Sequence, residues 1–234
     1  MKYVPVMKWK RGERVAIRHI NDKTKDHCKP VFNIMRKTIP EDYAYQIQRD
    51  WGESRPFYLN YHPTFIPDND FSETNFLKEF IEEVPKHNIN PTPVITSNKT
   101  KKFIEIINNY SEIFNNHAAI KISLSEFDNL SEILKSIITN INIEVNNLDL
   151  IIDLEQITLP KGSLNTLTSI IDSIINEFEL NKYNSMIITG SSFPETLSGI
   201  QAWSIIKNPR KEFIIWQELR EKYPDLIFGD YVSI

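Results

Sequence analysis

Short apolar, β-branched or aromatic runs recur eight times along the chain, at 3–8, 30–35, 57–62, 92–96, 119–123, 148–155, 185–190 and 226–231. Each is separated from the next by enough residues for a helix and two loops. Three of the intervening stretches place apolar residues at i, i+3, i+4 and i+7, the spacing of one helix face. They run from Phe103 to Phe114, from Leu130 to Ile141 and from Leu164 to Phe178. Ser125 and Asp128 predict the N-terminal cap of the second. Further helices are predicted over 12–20, 41–49, 76–84 (stopped near Pro85) and 211–223, the last with Pro224 just beyond it. Strands alternating with helices imply parallel pairing. Eight such units predict an α/β fold of the (β/α)8, TIM-barrel-like kind, with eight parallel strands and the final outer helix missing. Residues 1–234 read as a single barrel domain, since no linker divides them.

Strand side chains alternate in direction, so the pattern also predicts what points inward. In 148–155, Leu148, Leu150, Ile152 and Leu154 share one face, and Asp149, Ile151, Asp153 and Glu155 share the other. Outer helices must bury an apolar face, so the leucines turn outward and the acids turn toward the barrel axis. The same argument turns Lys8, Lys10, Asn60, Lys121, Thr189 and Ser191 inward, and Asp230 closes the last strand. The predicted mouth is therefore lined by Lys8, Lys10, Asn60, Lys121, Asp153, Glu155, Thr189, Ser191 and Asp230, at the end of the barrel where sites form in this fold.

Two chemistries fit such a set. Three lysines facing three carboxylates can satisfy one another as an interior ion-pair network. Alternatively, the lysines hold a phosphate or carboxylate while the acids act as acid and base or bind a cation. Asp153, Glu155, Asp230 and His62 would give an oxygen-rich divalent metal site suited to magnesium, calcium or manganese, although no compact ligand motif supports one. Loops at 64–70 and 190–209 follow strands and would overhang the same face. Gly190-Ser191-Ser192-Phe193-Pro194 could offer backbone N–H groups to an anion.

Composition narrows the classes. With 41% hydrophobic and 25% charged residues in 234, the chain can build a packed core, and disorder is not expected. A net charge of −4 argues against a dedicated polyanion binder. Lys8-Trp9-Lys10-Arg11-Gly12-Glu13 is nevertheless a basic cluster with an interleaved aromatic that could touch a nucleic-acid backbone. A single cysteine, Cys28, excludes an intramolecular disulfide and makes a cytoplasmic location the default. No apolar run is long enough for a membrane span. Walker, GxGxxG and GxSxG sequences are absent. Without an eighth outer helix, the last strand needs cover from a neighbouring helix, a protein partner or a homodimer.

The opening Lys2-Tyr3-Val4-Pro5-Val6-Met7-Lys8-Trp9-Lys10-Arg11-Gly12-Glu13 resembles that of the beta protein family of phages and bacteria. The Ser191-Ser192-Phe193-Pro194 turn, the helix bearing Trp216 and the closing Phe228-Gly229-Asp230-Tyr231 are similar to that family too, and the Asp153 strand is in the matching place. The resemblance implies a TIM-barrel-like fold and a role in phage–host conflict, phage-encoded or defence-associated. It carries over no catalytic residues. Family members typically continue past the Gly-Asp-Tyr segment, which implies a short or shortened member. Three readings remain open: a protein binding a ligand or partner at the mouth, a hydrolase or phosphodiesterase acting on a phosphorylated small molecule or nucleic acid, and a scaffold. The first is favoured because no compact catalytic motif is present.

Overall fold

A strand with apolar side chains on both faces needs cover on both sides, which a closed barrel ringed by helices supplies. The computed structural model describes residues 2–35, 39–61, 73–194, 203, 205 and 207–232. In chain order its elements are β1 (Tyr3–Lys8), α1 (Arg11–Arg18), α2 (Asp22–Lys25), β2 (Val31–Ile34), α3 (Pro40–Asp50), β3 (Pro56–Tyr61), α4 (Glu73–Lys86) and β4 (Asn90–Ile95). They continue with α5 (Lys101–Asn109), β5 (Ala118–Ser123), α6 (Leu130–Asn140), β6 (Leu148–Gln156), α7 (Leu164–Glu177), β7 (Ser185–Ser191), α8 (Lys211–Lys222) and β8 (Ile227–Tyr231). The strands pair in parallel and in sequence order, and β8 closes onto β1. The closed eight-stranded α/β barrel is the predicted architecture.

Two apolar layers follow from strand alternation. Val4, Val6, Val31, Tyr58, Val94, Ala119, Ile151 and Ile187 fill the inside of the barrel. Their strand neighbours, such as Met7, Phe32, Leu59, Ile120, Ile152 and Ile188, face the helices in a larger cluster. That outer layer also takes Trp9, whose ring packs 4.3 Å from Phe32 and 5.6 Å from Tyr43. The indole is thus a core residue and is not free to stack on a nucleic-acid base.

Local structure departs from the predicted boundaries for identifiable reasons. The apolar stripe from Phe103 to Phe114 is broken: α5 stops at Asn109 and Ser111–Phe114 is a 3-10 turn that keeps Phe114 buried. The cap between β5 and α6 is a capping box of Ser123 and Glu126, not Ser125 and Asp128. The chain leaves β5 straight into a 3-10 turn, so the last strand residue supplies the cap. Helix α4 runs through Pro85, which sits in its final turn. Pro91 and Pro93 donate no N–H, and β4 meets β5 only at Val94 and Ile95.

Among the described residues no helix follows β8. Its outer face is covered instead from α8. Phe213 and Trp216 pack 5.4 and 5.3 Å from Phe228, and Tyr3 stacks on the same ring at 6.2 Å. Arg210 lies 5.4 Å over Phe228 and pairs with Asp230, to which Tyr3 also donates a hydrogen bond. A neighbouring helix, α8, therefore covers this face of β8.

Candidate functional site

The C-terminal mouth is organised around Asp153. As the last regular inward position of β6, it is 1% exposed, and a buried carboxylate is tolerated only when its oxygens are satisfied. Four donors do so. Lys121 Nζ lies 2.6 Å and the Tyr231 hydroxyl 2.6 Å from Oδ2. Thr189 Oγ1 donates to Oδ1 over 3.2 Å, and the Glu155 backbone N–H donates to it over 3.0 Å. Lys121 comes from β5, Thr189 from β7 and Tyr231 from β8, so the network spans the β5–β8 side of the mouth. Burial, reinforced by Asp153, holds the Tyr231 phenol well above its ordinary value, which keeps it a donor.

The bend that delivers the fourth donor is a bulge. The β6–β7 register shifts between Asp153 and Gln156, and Glu155 takes a left-handed φ of 55°. Alternation would have turned Glu155 inward beside Asp153. The bulge instead leaves its side chain exposed at the rim, where Ser125 Oγ donates to it over 3.4 Å.

Other predicted members lie in distinct places. Lys8, Asn60 and Thr189 share the inner face with Lys121 and Asp153, as alternation predicts. Lys10 lies past the end of β1, exposed at the start of α1. Ser191 is buried at the end of β7, where its hydroxyl accepts the Phe193 N–H over 3.1 Å. Asp230 departs from the predicted mouth: it turns outward, to Tyr3 and Arg210. Burial, with Glu212 adding to it, holds its carboxyl above the usual range despite Tyr3 and Arg210. The reason is the strand's phase. Tyr231 points inward to Asp153, so its neighbour must point outward.

The closing Phe228-Gly229-Asp230-Tyr231 is thereby explained residue by residue. Phe228 and Asp230 face α8 and Tyr3, and Tyr231 reaches the mouth. A Cβ on Gly229 would stand 2.5 Å from the Val4 carbonyl oxygen and 2.7 Å from Thr189 Cγ2, so only glycine fits.

The oxygen-rich metal set does not assemble. Asp153 points inward, Asp230 outward and Glu155 to solvent, and His62 lies outside the described residues, as does the loop at 64–70. Among the described residues no group of three or more histidines, cysteines and acids is placed to hold an ion.

Strand phasing missed three contributors. Tyr231 shares the inner phase of β8 with Gly229 but carries no charge to mark it as a site residue. Asn33 of β2 shares the inner face and accepts a hydrogen bond from Asn60 Nδ2 over 2.7 Å. Lys99, on the loop after β4, cannot be phased from strand alternation. Its side chain is 2% exposed, and its ammonium group lies 2.5 Å from Glu73 and 4.9 Å over the Tyr61 ring. Burial lowers its pKa, Glu73 opposes that and nearby Lys121 adds to it.

On the β1–β3 side the inner residues are less well satisfied. Lys8 pairs in register with Asn33, and Asn33 with Asn60. Asn60 is 1% exposed, and among the described residues its Oδ1 has no hydrogen-bond donor. Among the described residues the half-buried Lys8 has no ion pair or side-chain hydrogen bond.

Among curated proteins, none matches the sequence. No described helix is long and apolar enough to cross a membrane. The profile of one family, described as beta protein, matches residues 3–234, which include the opening block, the Asp153 strand and the closing segment whose geometry is given above. The chain therefore belongs to the beta protein family.

Proposed function

We propose that this protein binds a small ligand at the C-terminal mouth of its barrel and does not use Asp153 for hydrolysis. The saturation of Asp153 carries this reading. A carboxylate offers about four lone-pair sites, and Lys121, Tyr231, Thr189 and the Glu155 N–H occupy four. A general base needs a lone pair within reach of the proton it removes, and Asp153 has none to spare. The fold supports the location, since barrel sites lie at the C-terminal strand ends. The setting we propose is phage–host conflict, in keeping with the resemblance to phage and bacterial proteins, with the bound ligand acting as a signal or a recognition element.

Thermal unfolding in the presence of nucleotides, sugar phosphates, oligonucleotides and divalent ions tests the proposal. A ligand at a hundredfold over its dissociation constant adds about 2.7 kcal/mol of stability. The expected result is a shift with at least one small anionic compound and no turnover of it. Turnover of a phosphorylated compound that Asp153→Asn abolishes would favour the hydrolase reading, and no shift with any compound would favour a scaffold.

A further inference from the structure

We infer that the ligand seats on the β1–β3 side of the mouth and is a phosphorylated small molecule that also carries a neutral N–H or O–H donor; this rests on the mouth-binding reading above. Three inner residues of adjacent strands stand at one level there, Lys8, Asn33 and Asn60. Neighbouring strands lie about 4.8 Å apart, so Lys8, Asn33 and Asn60 form one polar row around that side of the mouth, with the charge at one end and the amide pair at the other. Their chemistry is complementary to two different groups. The Lys8 ammonium is a mobile point charge with three donors, suited to phosphate oxygens. It has no carboxylate partner among the described residues, whereas Lys121 is held by Asp153 and Lys99 by Glu73. Among the described residues Asn60 Oδ1 is a buried acceptor without a donor, and burying an acceptor unpaired is costly until a donor arrives. Asn60 cannot simply turn away, because its Nδ2 is committed to Asn33 Oδ1. The amide pair therefore fixes the acceptor in place.

The same geometry separates the two jobs. Lys8 supplies charge attraction that any phosphate shares. Asn60 supplies discrimination, because an analogue without the donor leaves the acceptor unpaired. Nucleotides bring N–H donors and sugar phosphates bring O–H donors, and both fit this description.

Calorimetric titration of the full chain with inorganic phosphate, a nucleoside monophosphate, the matching nucleoside and a hexose phosphate tests the assignment. Binding is expected for the nucleotide or the hexose phosphate, more weakly for inorganic phosphate, and not for the nucleoside. Lys8→Met should weaken binding of the phosphorylated probe roughly tenfold to a hundredfold and reduce its salt dependence. Asn33→Leu/Asn60→Leu removes both amides together and so leaves no half-satisfied pair. It should weaken the nucleotide or sugar phosphate while sparing inorganic phosphate. Lys222→Met, which removes an exposed α8 lysine paired with Asp172 of α7, controls for net charge and should bind as the parent does. A phosphorylated probe that binds the parent and Lys8→Met equally would overturn this placement and leave the mouth-binding reading standing. No binding of any probe to the parent would overturn both.

Discussion

Asp149 and Asp153 lie four residues apart on the inner face of β6, and each is met by nearly the same set of donors. Asp149 takes Lys29 at 2.9 Å, the Tyr58 hydroxyl at 2.7 Å, Asn184 at 2.7 Å and the Ser185 hydroxyl at 2.6 Å. Asp153 takes a lysine, a tyrosine, a hydroxyl of β7 and one backbone N–H. Both carboxylates are 1% exposed. The difference is where the partners come from. Lys29 and Tyr58 reach Asp149 from β3 and the approach to β2, across the barrel from β6, and Lys29 Nζ sits 4.0 Å over the Tyr58 ring. That end is stapled through its axis. The donors to Asp153 come from β5, β7, β8 and its own strand, so they close one side and leave the β1–β3 side with unmatched groups. An ion pair of good geometry thus marks a structural element at both ends. What distinguishes the mouth is the chemistry that its ion pair does not consume.

The largest effect is expected at the stapled end. Asp149→Asn leaves Lys29 buried without its counter-charge and should cost about 3–5 kcal/mol in denaturant unfolding. Its pH dependence sharpens the point. Burial pushes the Asp149 carboxyl up, but Lys29 and the hydrogen bonds from Ser185, Asn184 and Tyr58 outweigh it and hold the group below the usual carboxylate range. A folded value below the unfolded one gives stability that is present above about pH 4 and lost as pH falls through the folded value. The gap between parent and Asp149→Asn should accordingly narrow as the pH is lowered from about 7 toward about 3; a constant gap would show that the charge on Asp149 contributes nothing.

At the mouth, Asp153→Asn should cost roughly 2–4 kcal/mol, and adding Lys121→Met should restore part of the loss, because the second change removes the stranded ammonium. A double variant no more stable than the sum of the singles would break the pairing argument. Tyr231→Phe should be the mildest, about 1.5 kcal/mol for one hydrogen bond to a charged group, since three donors remain on Asp153. A loss as large as that of Asp149→Asn would mean that the two ends are equally stapled.

Strand alternation alone located Lys121, Asp153 and Thr189 on one inner face, and Asn60 and Lys8 with them. It failed where the backbone stopped being a regular strand. The bulge at Glu155 re-aims that side chain outward, and the end of β1 releases Lys10. It also failed at Asp230, where a glycine and a tyrosine of the same strand already hold the inward positions. Lys99 was illegible because a loop residue has no phase.

Period-2 and period-3.6 patterns are local properties of the chain, and they determined the eight-unit architecture and which face of each strand is polar. Whether a given polar group meets a partner depends on residues brought together from distant strands by barrel closure. Only the tertiary structure could therefore decide that Asp153 is saturated, that Asp230 belongs to the outer face, and that Lys8 and Asn60 Oδ1 lack partners among the described residues.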